Sequence, residues 1–231
     1  MNARDLALRT TLLVGGLTLY GTSMAMMITG GLGLNPWDGF HQGLAARLPI
    51  SFGAITAVTG VMVLLLWIPL RQRPGIGTVA NIVIIAVSVD LALDWLPEVA
   101  SIPSRAALLT GGVVLNGLAT AAYISAGLGA GPRDGLMTGL VARSGLSVRL
   151  VRTAIELAVL GTGWLLGGTA GVGTVLYALA IGPLVHFFLG VMPQKFTAQK
   201  FTARKCTVRA GGDHSSVESS EPADRIPTET P

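Results

Sequence analysis

Long apolar runs broken by short polar or glycine-rich stretches continue along the chain as far as Pro193. Six of them, at 8–27, 51–70, 79–96, 106–128, 150–168 and 175–192, are about 18–23 residues long and carry few charges. Wound as helices that rise about 1.5 Å per residue, such runs cross the ~30 Å hydrocarbon core of a bilayer. The pattern predicts an all-α integral membrane protein with six transmembrane helices. The first run also resembles a secretory signal, with Arg4 and Arg9 ahead of it and Ser23-Met24-Ala25 like a cleavage site. A full counterpart of this run later in the chain argues that it is retained.

That counterpart belongs to an internal repeat. Residues 9–97 align with residues 105–193 at a shift of 96 without a gap, and 31 of 89 positions are identical. Chance apolar similarity does not reach that level over such a length. The chain therefore divides into a cytoplasmic N-terminus (1–8), a first repeat unit (9–97), a second (105–193) and a tail (194–231). Each unit contains three spans, an odd number, so the second enters the membrane from the opposite side. The expected architecture is two inverted-topology three-helix repeats, as in many transporter folds.

Charge placement orients the chain. With the N-terminus in the cytoplasm, only Arg47 and Arg105 among the 16 Lys and Arg residues face outward. The positive-inside rule then puts both termini in the cytoplasm, in what would be a bacterial inner membrane. The tail is rich in Ser, Glu, Pro and Thr beyond a basic stretch, lacks the apolar content for a core, and is expected to be disordered. The net charge of +4 comes from scattered residues with no interleaved aromatic stripe, so nucleic acid is excluded as a partner. Cys206 is the only cysteine, which rules out an internal disulfide.

Within each unit one phrase stands out. "GLGLNPWDGFHQGLAAR" from Gly31 is answered by "GLGAGPRDGLMTGLVAR" from Gly127. Asn35, Pro36 and Asp38 read as cap, first turn and dipole-matched acid of a helix; Gly131, Pro132 and Asp134 repeat the pattern. Gly39 and Gly43, like Gly135 and Gly139, are small residues four apart that allow helices to approach closely. About seven extended residues could descend about 20 Å, and a helix over 36–47 would climb back about 18 Å. This fits a re-entrant half-helix. A helix lying flat in the interface fits as well, because Trp37, Phe40, Leu44 and Leu48 form an apolar stripe. Trp37 suits the outer interfacial belt and Arg133, in the equivalent slot, the cytoplasmic face. Each Asp either caps its helix or meets a substrate or coupling ion.

Other ionisable groups lie in the spans. Asp90 and His186 occupy equivalent slots and could handle protons or simply tie helices together. Arg152 and Glu156 stand one turn apart and predict a structural ion pair. His41 has no counterpart in the second copy and reads as an interface position. "GIGT" at Gly75 and "GVGT" at Gly171 read as turns, with Thr capping the helix that follows. No nucleotide-binding loop, metal-ligand motif or nucleophile–base set occurs, so neither catalysis, a cofactor nor a bound metal is expected.

The phrase G-x-x-P-W-D-x-x-x-x-G, followed by "GIGTVANIVIIAVSVD", resembles the YczE/YitT-like family of bacterial integral membrane proteins across residues 9–193. The resemblance implies location and architecture, and supplies no substrate. The expected function is a secondary transporter or channel for a small solute. The alternative is a non-transporting membrane scaffold that supports a biosynthetic or other partner complex. The glycine-lined faces would permit a homo-oligomer.

Overall fold

A computed structural model of the protein describes residues 3–192. The expectation of a disordered tail and the lone Cys206 lie outside the described residues, as do residues 1–2. Among the described residues there are eight helices and no strand: α1 (Ala3–Gly30), α2 (Pro36–Ala45), α3 (Phe52–Leu70), α4 (Ile76–Trp95), α5 (Ile102–Ala126), α6 (Pro132–Ser144), α7 (Val148–Leu165) and α8 (Val172–Val191). Five of them, α1, α3, α4, α5 and α8, are long and apolar enough to cross a membrane. The remaining expected span, 150–168, is helical as α7, but Arg149, Arg152 and Glu156 in its first half leave it less apolar than those five. Large apolar side chains such as Met62, Leu65 and Leu66 on α3 are exposed and meet lipid.

Local chemistry sets where the short helices begin. The Asn35 side chain accepts the Asp38 N–H at 2.9 Å, and Pro36 takes the first helical position of α2. At α6 Gly131 is the cap and Pro132 again leads. Upstream of each, the chain turns through glycines in the left-handed region: Gly33 at φ +119° and its equivalent Gly129 at φ +142°. A side chain there would be strained, and at Gly33 a Cβ would also lie 2.8 Å from the Gly171 nitrogen.

The GIGT and GVGT turns dock on these same glycine stretches. Gly77 donates its N–H to the Leu128 carbonyl at 3.0 Å, and Gly173 donates to the Leu32 carbonyl at 2.9 Å. Each turn therefore binds the phrase of the other copy. Thr78 and Thr174 act at the third helical position rather than as the caps expected from sequence, because Gly75 and Gly171 occupy the cap. Thr78 Oγ1 accepts the Gly75 N–H at 3.1 Å and donates to the Ala130 carbonyl at 2.7 Å.

Most of the helix packing follows the sequence repeat. The centre is α1 against α5, where small residues bring backbones together: a Cβ at Gly16 would sit 3.1 Å from the Ala119 carbonyl, and one at Gly112 3.1 Å from that of Ser23. In lipid, such close packing rather than water exclusion holds helices together. Exchanging the copies maps α1–α4 onto α5–α8, α2–α7 onto α6–α3 and α2–α3 onto α6–α7. The contact of α3 with α4 has no comparable counterpart between α7 and α8. Leu13, Leu17, Met24, Phe52, Ile85 and Val89 fill the core on the α3–α4 side. On the α7–α8 side the helices part around a cavity.

Candidate functional site

The beginnings of α2 and α6 meet. Asn35, Pro36 and Trp37 share with Pro132, Arg133 and Asp134 the lining of one cavity of about 420 Å³. The Arg133 guanidinium carbon lies 4.8 Å from the centre of the Trp37 ring, within cation–π range. Trp37 is buried, and the Arg133 side chain keeps 29% of its surface exposed. The sequence suggested an interfacial Trp on one face and a cytoplasmic Arg on the other. The two side chains instead stack on each other, because the helices that carry them point their N-termini at a common centre.

Beneath this contact Asp38 is fully buried. Its Oδ2 accepts a hydrogen bond from Asn35 Nδ2 at 2.6 Å, so the cap residue holds both ends of the aspartate. Its Oδ1 has no hydrogen-bond partner and lies 3.6 Å from Arg133 Nη2 and 4.0 Å from His41 Nδ1. His41 is itself buried, its Nδ1 3.3 Å from Thr56 Oγ1 and its Nε2 without a partner. Asp134 is held differently, by the Tyr123 hydroxyl, which donates to Oδ2 at 3.2 Å. Behind Tyr177, which lines the cavity, buried Asn116 donates to Ser23 Oγ at 2.8 Å and accepts from the Tyr177 hydroxyl at 3.0 Å. This ties α1, α5 and α8 through polar side chains.

Residues 7–190 match the profile of a family of unknown function, DUF6198. The chain belongs to the DUF6198 family. A Haemophilus influenzae protein carrying only the description "uncharacterized" is 38% identical over 182 residues, 79% of this chain and 84% of the relative. The Bacillus subtilis protein described as "Uncharacterized membrane protein YczE" is 35% identical over 188 residues, 80% of this chain and 87% of its own. A second Bacillus subtilis protein, YyaS, is 25% identical over 188 residues. The chain is thus a YczE-like membrane protein. No solved structure matches it.

The other singled-out residues of this DUF6198 member separate into two groups. Arg152, Glu156 and His186 line the cavity alongside Tyr20, Tyr123 and Tyr177. Arg152 and Glu156 do not come within ion-pair distance of each other, so the pairing expected from their spacing is replaced by two separate charges facing the cavity. The four glycines serve packing. A Cβ at Gly43 would lie 2.8 Å from the Gly163 carbonyl on α7, and one at Gly139 3.1 Å from Leu70 on α3. Gly135 lies against the Trp67 indole, whose Nε1 donates to the Pro132 carbonyl at 3.0 Å. Gly39 backs onto Gly168.

Asp90 is elsewhere. Its carboxylate accepts from Ser51 Oγ and from the Gly53 N–H, both at 2.6 Å, and so caps α3 from α4. Its repeat partner His186 faces the cavity, so equivalent slots have unequal surroundings. Among the described residues no three His, Cys, Asp or Glu side chains converge as metal ligands. The neutral polar residues went unnoticed in the sequence. Asn116, Thr120 and Tyr123 recur at helical spacing on one face of α5, which was the available signal.

Proposed function

We propose that the protein is a secondary carrier for a small solute, built of two inverted repeats with six spans, including α7. In this reading both termini lie in the cytoplasm of a bacterial cell, and the structure corresponds to a state open to the inside. The re-entrant placement of α2 and α6 accords with the Trp37–Arg133 contact, because flat helices on opposite faces would be a membrane thickness apart.

The observation that carries the proposal is the unequal packing of equivalent positions in the two repeats. Thr120, Tyr123, Met137 and Val185 line the cavity. Their first-copy equivalents Met24, Met27, His41 and Val89 are almost wholly buried, at 0%, 0%, 1% and 0% exposure. With the assigned orientation, the lining of α4, α5 and α7 comes from their cytoplasmic halves, and that of α8 runs from Tyr177 in its outer half to Leu189 near its cytoplasmic end. One unit is thus closed on the outside while the other is open on the inside. Two duplicated units that exchange these conformations would expose one central site alternately to each side. Half-helix N-termini at the centre of such a cavity are suited to polar or charged solutes.

Cysteine accessibility tests this. In a Cys206→Ser background, Thr120→Cys and Met137→Cys would be exposed to a membrane-impermeant thiol reagent from either side. Slow labelling from outside together with fast labelling from inside is the expected result. Labelling from inside alone would show a blind recess and overturn the carrier. A scaffold would then be tested by asking whether Asp38→Asn and Asp134→Asn variants rescue a deletion.

A further inference from the structure

We infer that the cavity receives a small organic carboxylate on Arg133, and that Asp38 takes up one proton from bulk water as it binds. This rests on the carrier reading and names its solute class and coupling ion.

The argument starts from Arg133. Its guanidinium makes one long ion pair, Nη2 to Asp38 Oδ1 at 3.6 Å, and no shorter hydrogen bond among the described residues, so most of its five N–H donors are left for a ligand. A guanidinium stacked on an indole at the wall of a membrane cavity, with most of its fork free, fits a planar two-oxygen acceptor. The starts of α2 and α6 converge on the same place and add their positive dipole ends. Asp134 accepts from the Tyr123 hydroxyl and makes no hydrogen bond to Arg133.

Asp38 supplies the coupling. It is fully buried, and Asn35 holds its Oδ2, which leaves Oδ1 facing Arg133 and His41. While the cavity holds no anion, Arg133 is its counter-charge. Once a solute carboxylate takes Arg133, Asp38 would be a buried anion with that charge already shared, which a low-dielectric site does not tolerate. A proton on Oδ1 restores the balance. Before binding the pair sums to zero; afterwards neutral Asp38, the guanidinium and the solute carboxylate also sum to zero. His41, with Nδ1 4.0 Å from Oδ1 and Nε2 unpartnered, lies next to the proton's destination. The other titratable groups within electrostatic reach of Asp38 are Glu156 on α7, Tyr20 on α1 and Tyr177 on α8. Glu156 is the competing proton acceptor, and the experiment must separate it from Asp38.

Calorimetric titration of the protein in nanodiscs, run in two buffers of different ionisation heat, reads affinity and proton uptake together. The probes are acetate, hexanoate and benzoate, with benzamide as the uncharged isostere of benzoate. The expected result is binding of at least one carboxylate, at least ten-fold weaker binding of benzamide, and uptake of about one proton per carboxylate. Asp38→Asn should bind without uptake, Glu156→Gln should keep the uptake, and Arg133→Gln should lose affinity at least ten-fold. Arg133→Lys should fall between. Equal affinity for benzoate and benzamide, no binding of any carboxylate, or binding by wild-type protein without proton uptake would each overturn the inference, whatever the variants do. Because binding is read without transport, a protein that binds carboxylate yet fails the two-sided labelling test would sink the carrier and leave this site standing.

Discussion

Asp90 accepts the backbone N–H of Gly53 at 2.6 Å and thereby seals the start of α3 onto α4. Gly53 permits the approach, because a Cβ there would run into the Ala86 carbonyl. The equivalent residues His186 and Arg149 make no such contact, and there the two helices stand apart.

The first prediction concerns this seal. Asp90→Ala removes two hydrogen bonds to a carboxylate and should destabilise the protein by about 2–3 kcal/mol. Asp90→Asn should cost less, since an amide oxygen can still accept one of them. Unfolding in mixed micelles, followed by circular dichroism, checks both. Equal stability of Asp90→Ala and wild type would show that the α3–α4 seal contributes nothing.

Gly43→Ala should destabilise by about 1–3 kcal/mol, because its Cβ would press on Leu166 and on the Gly163 carbonyl at 2.7 and 2.8 Å. Gly15→Ala is the control: nothing lies within 4 Å of its Cβ position. That change should shift stability by less than about 1 kcal/mol. The same unfolding measurement decides, and similar costs for the two would refute the packing assignment.

Asn116→Leu should cost about 1–3 kcal/mol by leaving the Tyr177 hydroxyl and Ser23 Oγ without their partner. Adding Tyr177→Phe to the Asn116→Leu variant should recover part of that loss, because the orphaned hydroxyl is gone. A double-mutant cycle measures this coupling.

Arg47 and Arg143 hold equivalent helix ends. Arg47 Nε donates to the Leu166 carbonyl at 3.2 Å, and Arg143 Nη1 donates to that of Pro69 at 2.8 Å. Each half-helix thus reaches into the other copy to cap it. Arg143→Ala and Arg47→Ala should each cost about 0.3–1 kcal/mol, with the shorter Arg143 bond giving the larger loss. Their effects should add in the double variant, because the two side chains share no partner.

How far the sequence foretold this differs from residue to residue. Asn35 and Pro36 mark the start of α2 because capping is decided within four residues, and the observed helix begins at Pro36 as expected. The end was less legible. The helix stops at Ala45, two residues short of the 47 expected, since nothing in the apolar stripe forces a stop. Repeat alignment pairs Asp90 with His186 by position, yet alignment carries no information on conformation, and the surroundings of the two residues differ. Arg133 was read as a surface charge from its side of the membrane alone. Its partners, Trp37 and Asp38, come from the other copy, 96 and 95 residues earlier. Only a tertiary contact brings them together.

The crossed backbone bonds, Gly173 to Leu32 and Gly77 to Leu128, bear on how the chain is made. When the ribosome has released the first ninety-odd residues, the Leu32 carbonyl still lacks its donor, and the Gly77 turn has nothing to dock on. Neither half can finish alone. Assembly of the centre must wait until Gly173 has been synthesised, so the last hairpin to emerge completes the first loop that was laid down.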